Sequence, residues 1–263
     1  MLLHLLLSLI QAATMQAPGA AGQTPARIDC AADWTQTTVM LERAVLADDV
    51  QTMKAVRASC LQAIASATAA ADRVPLTRYA IAYADWRMST NPFVTEQEHG
   101  DFLEEADRQL QEAIKMNEKF AEASGLMAAV LGMKIAKSPM KGMVLGPRSG
   151  RFLERALTLE PDNPRLVLQL AVSRFNTPAM FGGSVKEAEA LLRKSLTLFE
   201  KEPADRAWPN WGRFDAHVWL GQALVKRGDR AGARAEYDRA SAIAPQSGWL
   251  RFVLIPQLEK GAK

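Results

Sequence analysis

Apolar residues recur along this chain at three- and four-residue intervals, with polar residues between them. That is the period of a helix with one buried face. The segment FLEEADRQLQEAIK carries Phe102, Leu103, Ala106, Leu110, Ala113 and Ile114 on one face. Val, Ile and Thr never form alternating runs, so no strand is predicted. The pattern predicts an all-α chain of about eleven helices, near 34–49, 50–71, 75–89, one carrying Phe102 to Ile114, 120–137, 151–160, 165–175, 185–202, 213–227, 230–244 and 247–259. Pro75 suits a first helical turn. Thr95 with Glu98, and Ser184 with Glu187, have capping-box spacing.

Between the helices, KSPMKGMVLGPRSG, PDNP, NTPAMFGGS and PADRAWPNWG read as breaks. No low-complexity linker divides the array, so residues 28–260 are expected to form a single helical-repeat domain. Residues 1–22 differ. Leu2 to Ile10 is nearly all apolar, and small residues follow at Ala12, Ala13, Ala17, Ala20 and Ala21. This resembles a secretory signal peptide, although no Lys or Arg precedes the apolar core. The core is too short to span a bilayer, which takes about 20 residues. No lipobox cysteine follows it. The expected location is outside the cytoplasm, periplasmic or secreted, with no stable membrane insertion once the leader is cleaved.

WLGQALVKRGDRAGA, residues 219–233, places Gly221 inside a helix, where glycine costs roughly 1 kcal/mol against alanine. Close approach of two backbones explains it. Leu220, Gly221, Ala233, Tyr237, Ala240 and Pro245 have the offsets of the tetratricopeptide repeat, an antiparallel helix pair with small residues at the contact. Residues 214–247 therefore resemble one TPR unit, with Gly228 ending its first helix and Asp229 capping its second. Leu224 and His217 replace the aromatics the family favours. Earlier units match through their second helices: Ala106, Leu110 and Ala113; Leu153, Ala156 and Pro161; Ala188, Leu192 and Ser195. Ala113, Ala156, Ser195 and Ala240 lie 43, 39 and 45 residues apart, against about 34 in the family. The resemblance covers roughly 100–260 and implies a TPR-like α-solenoid with long connections. Pro178, Phe181, Gly182, Gly183, Ala188 and Leu192 also resemble a unit of exported helical-repeat proteins that accompany TRAP-type transporters.

In TPR proteins, fixed places on the first helices line the concave face. Carried over, these are Arg165, Leu168, Val172, Phe175 and Asn176 in one unit, and Asp215, Val218, Gln222, Val225 and Lys226 in the next. The Lys/Asn/Arg set that clamps a peptide carboxylate in some members is absent. Trp208 and Trp211, two tryptophans in a connection, are expected to dock on the array, either as a structural plug or as the wall of a binding pocket.

Composition narrows the function classes. The chain is 48% hydrophobic and 23% charged, with a net charge of +3. Lys and Arg alternate with Asp and Glu, unlike a nucleic-acid-binding stripe, so no nucleic acid is expected. His4, His99 and His217 lack metal-ligand spacing, and His217 reads as packing. GMVLGPRSG lacks the Lys-Ser/Thr end of a phosphate loop. FGGS reads as a turn and N-cap rather than an anion site. Met127, Met133, Met140 and Met143 read as core filling rather than a copper site. Cys30 and Cys60 are either a disulfide or two buried thiols. No cofactor, metal site or catalytic set is expected. The expected function is a non-enzymatic scaffold for a protein or peptide partner; the alternative is a small-ligand-binding component of a transporter.

Overall fold

A computed structural model describes residues 28–91, 94–203 and 205–260; the expected leader lies outside them. The described residues form α1 (Trp34–Leu46), α2 (Val50–Ala65), α3 (Val74–Met88), α4 (Glu96–Met116), α5 (Ala121–Lys137), α6 (Gly142–Leu159), α7 (Pro164–Asn176), α8 (Val185–Glu200), α9 (Arg213–Lys226), α10 (Arg230–Ile243) and α11 (Ile255–Lys260). A π-helical stretch, Leu250–Leu254, leads into α11. No strand occurs among the described residues.

Local sequence sets most boundaries. The Thr95–Glu98 capping box forms in both directions at the start of α4. Ser184 accepts from the Glu187 amide and Asp229 from the Gly232 amide, starting α8 and α10. Asn163 accepts from the Arg165 amide, and Pro164 opens α7, where its missing N–H costs nothing. One boundary differs from expectation. The Gly- and Pro-rich run 137–150 is mostly helix, because α6 already begins at Gly142 and only Ser138–Lys141 breaks the chain. Pro147 sits inside α6, and Gly146 and Gly150 have open space where a Cβ would stand.

Consecutive helices pair antiparallel: α1 with α2, α3 with α4, α5 with α6, α7 with α8, and α9 with α10. Gly221 faces α10 as WLGQALVKRGDRAGA implied, but it makes room for the Tyr237 ring rather than for a second backbone. A Cβ on Gly221 would come within 2.3 Å of Tyr237 Cε1. Ala233 and Tyr237 are buried opposite it, and Ala113, Ala156, Ser195 and Ala240 are all fully buried at the equivalent places. The main apolar core is continuous from Cys30 to Leu258. Cys30 and Cys60 are joined in a disulfide that ties the first turn to α2. The fold is a TPR-like helical solenoid.

The array winds tightly enough for distant helices to meet. Arg87 at the end of α3 grips Asp215 at the start of α9 with two hydrogen bonds of 2.8 and 2.6 Å. The Gly248 amide donates to Asp48 Oδ2 at 2.8 Å. Little hollow remains on the inner side, and what remains is partly filled.

Candidate functional site

The filling is the connection between α8 and α9. Gly212 ends it with φ 112°, and a Cβ there would meet Phe199 Cζ at 2.8 Å. Trp208 enters among Trp34, Tyr79 and Tyr83, with ring centroids 5.7, 5.2 and 6.0 Å away. Its indole N–H donates to Glu42 Oε1 at 2.7 Å. Trp211 stacks on Tyr83 at 5.2 Å and donates to the Tyr79 hydroxyl at 2.9 Å. Each indole therefore buries its rings and still satisfies its polar nitrogen, as buried tryptophans require.

Charged residues clamp the connection in place. Buried Arg165 donates to Glu122 at 3.0 Å, to the Trp211 carbonyl at 3.2 Å, and to Glu202. Arg206 donates to the Pro209 carbonyl at 3.1 Å and to Glu122 at 2.9 Å. Burial raises the Glu122 pKa, opposed by Arg165, Asn163 and Arg206. Glu42 is half-buried as a residue, but burial of its carboxyl pushes its pKa up to about 7, against hydrogen bonds from Trp208 and Tyr83 and the Arg87 charge.

This arrangement revises the expected binding face. Arg165, Leu168, Phe175, Trp208, Trp211, Asp215 and Val218 are buried within the chain itself. For the residues other than Phe175 the physical reason is the 201–212 connection, which packs against Arg165 and Leu168, together with the Arg87–Asp215 pair beside it; Phe175 is covered by Trp219 instead. Trp208 and Trp211 both dock on the array with their rings buried, at 8% and 5% exposure. Toward the C-terminal ends of α7 and α9 the face opens: Val172 and Gln222 are half-buried, and Asn176, Val225 and Lys226 are exposed.

The open half has an aromatic backbone that the sequence pattern did not single out. Phe175 meets Trp219 edge-on at 5.3 Å, and Trp219 meets Trp249 at 6.1 Å, so one ladder crosses α7, α9 and the closing helical segment. Exposure rises along it, from 8% at Phe175 to 38% at Trp249. Lys226 Nζ lies 3.9 Å from the centre of the Phe175 ring. Trp219, Gln222 and Lys226 share a helical face by their spacing. Gln222 Nε2 is buried without a hydrogen-bond partner, an arrangement that costs roughly 1–3 kcal/mol. Asn176 Nδ2 donates to the Val172 carbonyl at 2.9 Å. Phe252 and Val253 extend the apolar surface beyond Trp249.

The remaining candidates fall elsewhere. His217 Nδ1 lies 2.7 Å from Glu236 Oε2, bridging α9 to α10. His99 Nε2 lies 2.9 Å from the Asn91 carbonyl. FGGS is a tight turn at Gly182, followed by the Ser184 cap. Met127 is buried and Met133 half-buried, but Met140 and Met143 stand almost wholly in solvent, contrary to the core role expected of them. Met140 lies on the turn into α6 and Met143 in its first turn, where the side chains face solvent. Among the described residues no group of His, Cys, Asp and Glu is arranged to hold a metal ion.

Solved structures share this fold. The HusA haemophore from Porphyromonas gingivalis matches with a TM-score of 0.59 and 24% identity, over 72% of this chain and 92% of that one. TTC0263, a thermophilic TPR protein of Thermus thermophilus, matches with a TM-score of 0.57 and 15% identity, over 86% and 98%. Likeness at these identities speaks to fold alone. No protein-family model matches the sequence, and no curated protein does.

Proposed function

We propose that this TPR-like solenoid is a non-enzymatic scaffold that holds an apolar segment of a partner protein on the open half of its concave face. Trp219 and Trp249 are the anchors, and Val172, Val225 and Phe252 widen the apolar surface. Lys226 offers a positive charge. The observation that carries the reading is the aromatic ladder from Phe175 through Trp219 to Trp249, whose exposure rises to 38% at its outer end. An apolar partner side chain would cover the indoles. Buried aromatics of this kind dominate recognition at many interfaces. The chain acts outside the cytoplasm; the Cys30–Cys60 disulfide supports this, since such bonds persist in oxidising compartments.

Peptide display against the protein tests the reading. It is expected to enrich sequences pairing large apolar residues with a carboxylate. The exposed-site double variant Val225→Glu/Trp249→Ala should bind those peptides at least about tenfold more weakly, roughly 1.4 kcal/mol, with unfolding unchanged. Equal binding by the variant would place recognition elsewhere.

A second reading, as a carrier of a small apolar ligand, draws on the likeness to a haemophore. A concavity of about 450 Å³ between Glu104, Lys134, Met140, Lys141, Val144 and Leu145 is open to solvent rather than enclosed. Small-molecule sites bury most of their ligand, so the scaffold reading is preferred. Native mass spectrometry separates the two, because a carrier would retain mass beyond the polypeptide.

A further inference from the structure

In an antiparallel array, the turns that join the two helices of each pair fall along one edge. Two neighbouring turns on that edge, Ser138–Lys141 and Thr177–Ser184, are unlike the others. The first, with the start of α6, presents Met140, Met143 and Val144 at 90%, 89% and 75% exposure; the second presents Met180 and Phe181 at 83% and 71%. These are five of the six most exposed large apolar side chains among the described residues. Exposed apolar clusters of this kind mark contact sites.

The two stretches of chain that carry them hold cations and no carboxylate, although Glu104, Glu96 and Glu187 reach in from outside those stretches. Residues 123–153 contain Lys134, Lys137, Lys141, Arg148 and Arg151 and no carboxylate. Residues 163–186 contain Arg165, Arg174 and Lys186, again with no carboxylate. Lys137 is paired with Glu96, Arg174 with Glu187, Arg148 loosely with Asp107, and Lys134 with Glu104 and Asp107. Arg165 is buried in the clamp. Lys141, Arg151 and Lys186 take part in no ion pair among the described residues.

We infer that this edge docks on an anionic lipid bilayer, Met140, Met143, Val144, Met180 and Phe181 entering the interface while Lys141 and Lys186 meet the headgroups. Met140 and Val144 rim an open concavity with Glu104, Lys134 and Lys141, whereas Met143, Met180 and Phe181 are no part of its lining; apolar tips spread over two turns around a site open to solvent suit a fluid phase better than a shaped partner. Lys141 and Lys186, at the turns themselves, add electrostatic attraction. Methionine adapts to such surroundings at little cost. Asp48, Asp49, Glu96 and Glu98 occupy the first two turns of the same edge, so the molecule leans on its middle turns. The contact is peripheral: among the described residues, no helix is long and apolar enough to cross a membrane. This inference is independent of the peptide-binding face.

The test attaches an environment-sensitive fluorophore to Met143→Cys in the full chain, with Val253→Cys as a second labelled variant. Vesicles of phosphatidylglycerol mixed with phosphatidylcholine should shift the label at position 143 to the blue and leave the one at 253 unmoved. Phosphatidylcholine alone should do neither. Adding Met140→Asp and Phe181→Asp should weaken partitioning at least about tenfold, and added salt should weaken it as well. A label at 143 that stays in water while the protein co-sediments would overturn the inference, since another segment would then be the anchor. Equal shifts on neutral and anionic vesicles would overturn it too. So would a protein concentration-dependent dimer, abolished by Met140→Asp, in vesicle-free solution.

Discussion

At the scale of single residues, two positions carry clear expectations. Gly221 has no room for a methyl group, because the Tyr237 ring already occupies that space. Gly221→Ala ought to raise intrinsic helix propensity, yet it should destabilise the fold by about 1–3 kcal/mol through overpacking, read from chemical unfolding. Glu42 carries a pH expectation. Its folded pKa of about 7 stands above its usual 4.5, so the folded state binds the proton more tightly. Stability from this group is complete below about pH 4.5 and is lost as the pH rises through about 7. Asp85, raised by burial from 3.8 to about 8 despite Arg57, acts in the same direction. Its Oδ2 has no hydrogen-bond partner. Unfolding free energy should therefore fall between pH 5 and 8, and Glu42→Gln should flatten that fall without removing it. A slope identical in the variant would place the titration elsewhere. Gly221 was legible in the sequence because a glycine inside a helical pattern needs a reason. Glu42 was not, because its burial depends on an indole 166 residues away.

Elements divide in the same way. Helices with regular apolar spacing and capping residues were legible, and α9 and α10 fall within a residue of expectation. The start of α6 was not: glycine and proline read as a break, although exposed glycines in a helix cost only about 1 kcal/mol each. The 201–212 connection was legible as a segment that must dock its tryptophans. Where it docks was not, since that depends on how tightly the pairs wind. The connection behaves as part of the core. Trp211→Ala should cost about 3–5 kcal/mol through the cavity left against Tyr83, and calorimetry should record it as a lower midpoint. A near-neutral result would mean that the connection lies loosely on the array.

Taken whole, the molecule is a solenoid wound until α3 reaches α9, with one half of its inner face closed and the other open. The repeat resemblance set first-helix positions on an inner face and left Leu168, Val172 and Phe175 either lining an apolar groove or buried by a neighbouring helix; Leu168 and Phe175 are buried and Val172 half-buried. The long α8–α9 connection and the Arg87–Asp215 pair divide that face. Pulsed hydroxyl-radical footprinting of the folded protein, read residue by residue by mass spectrometry, tests that division directly. Trp249, Phe252, Met140, Met143, Met180 and Phe181 are expected to oxidise rapidly, while Trp208, Trp211, Tyr79 and Tyr83 stay protected until the chain unfolds. Oxidation of Trp208 and Trp211 as fast as Trp249 would contradict the plugged inner face, and with it the assignment of recognition to the open half.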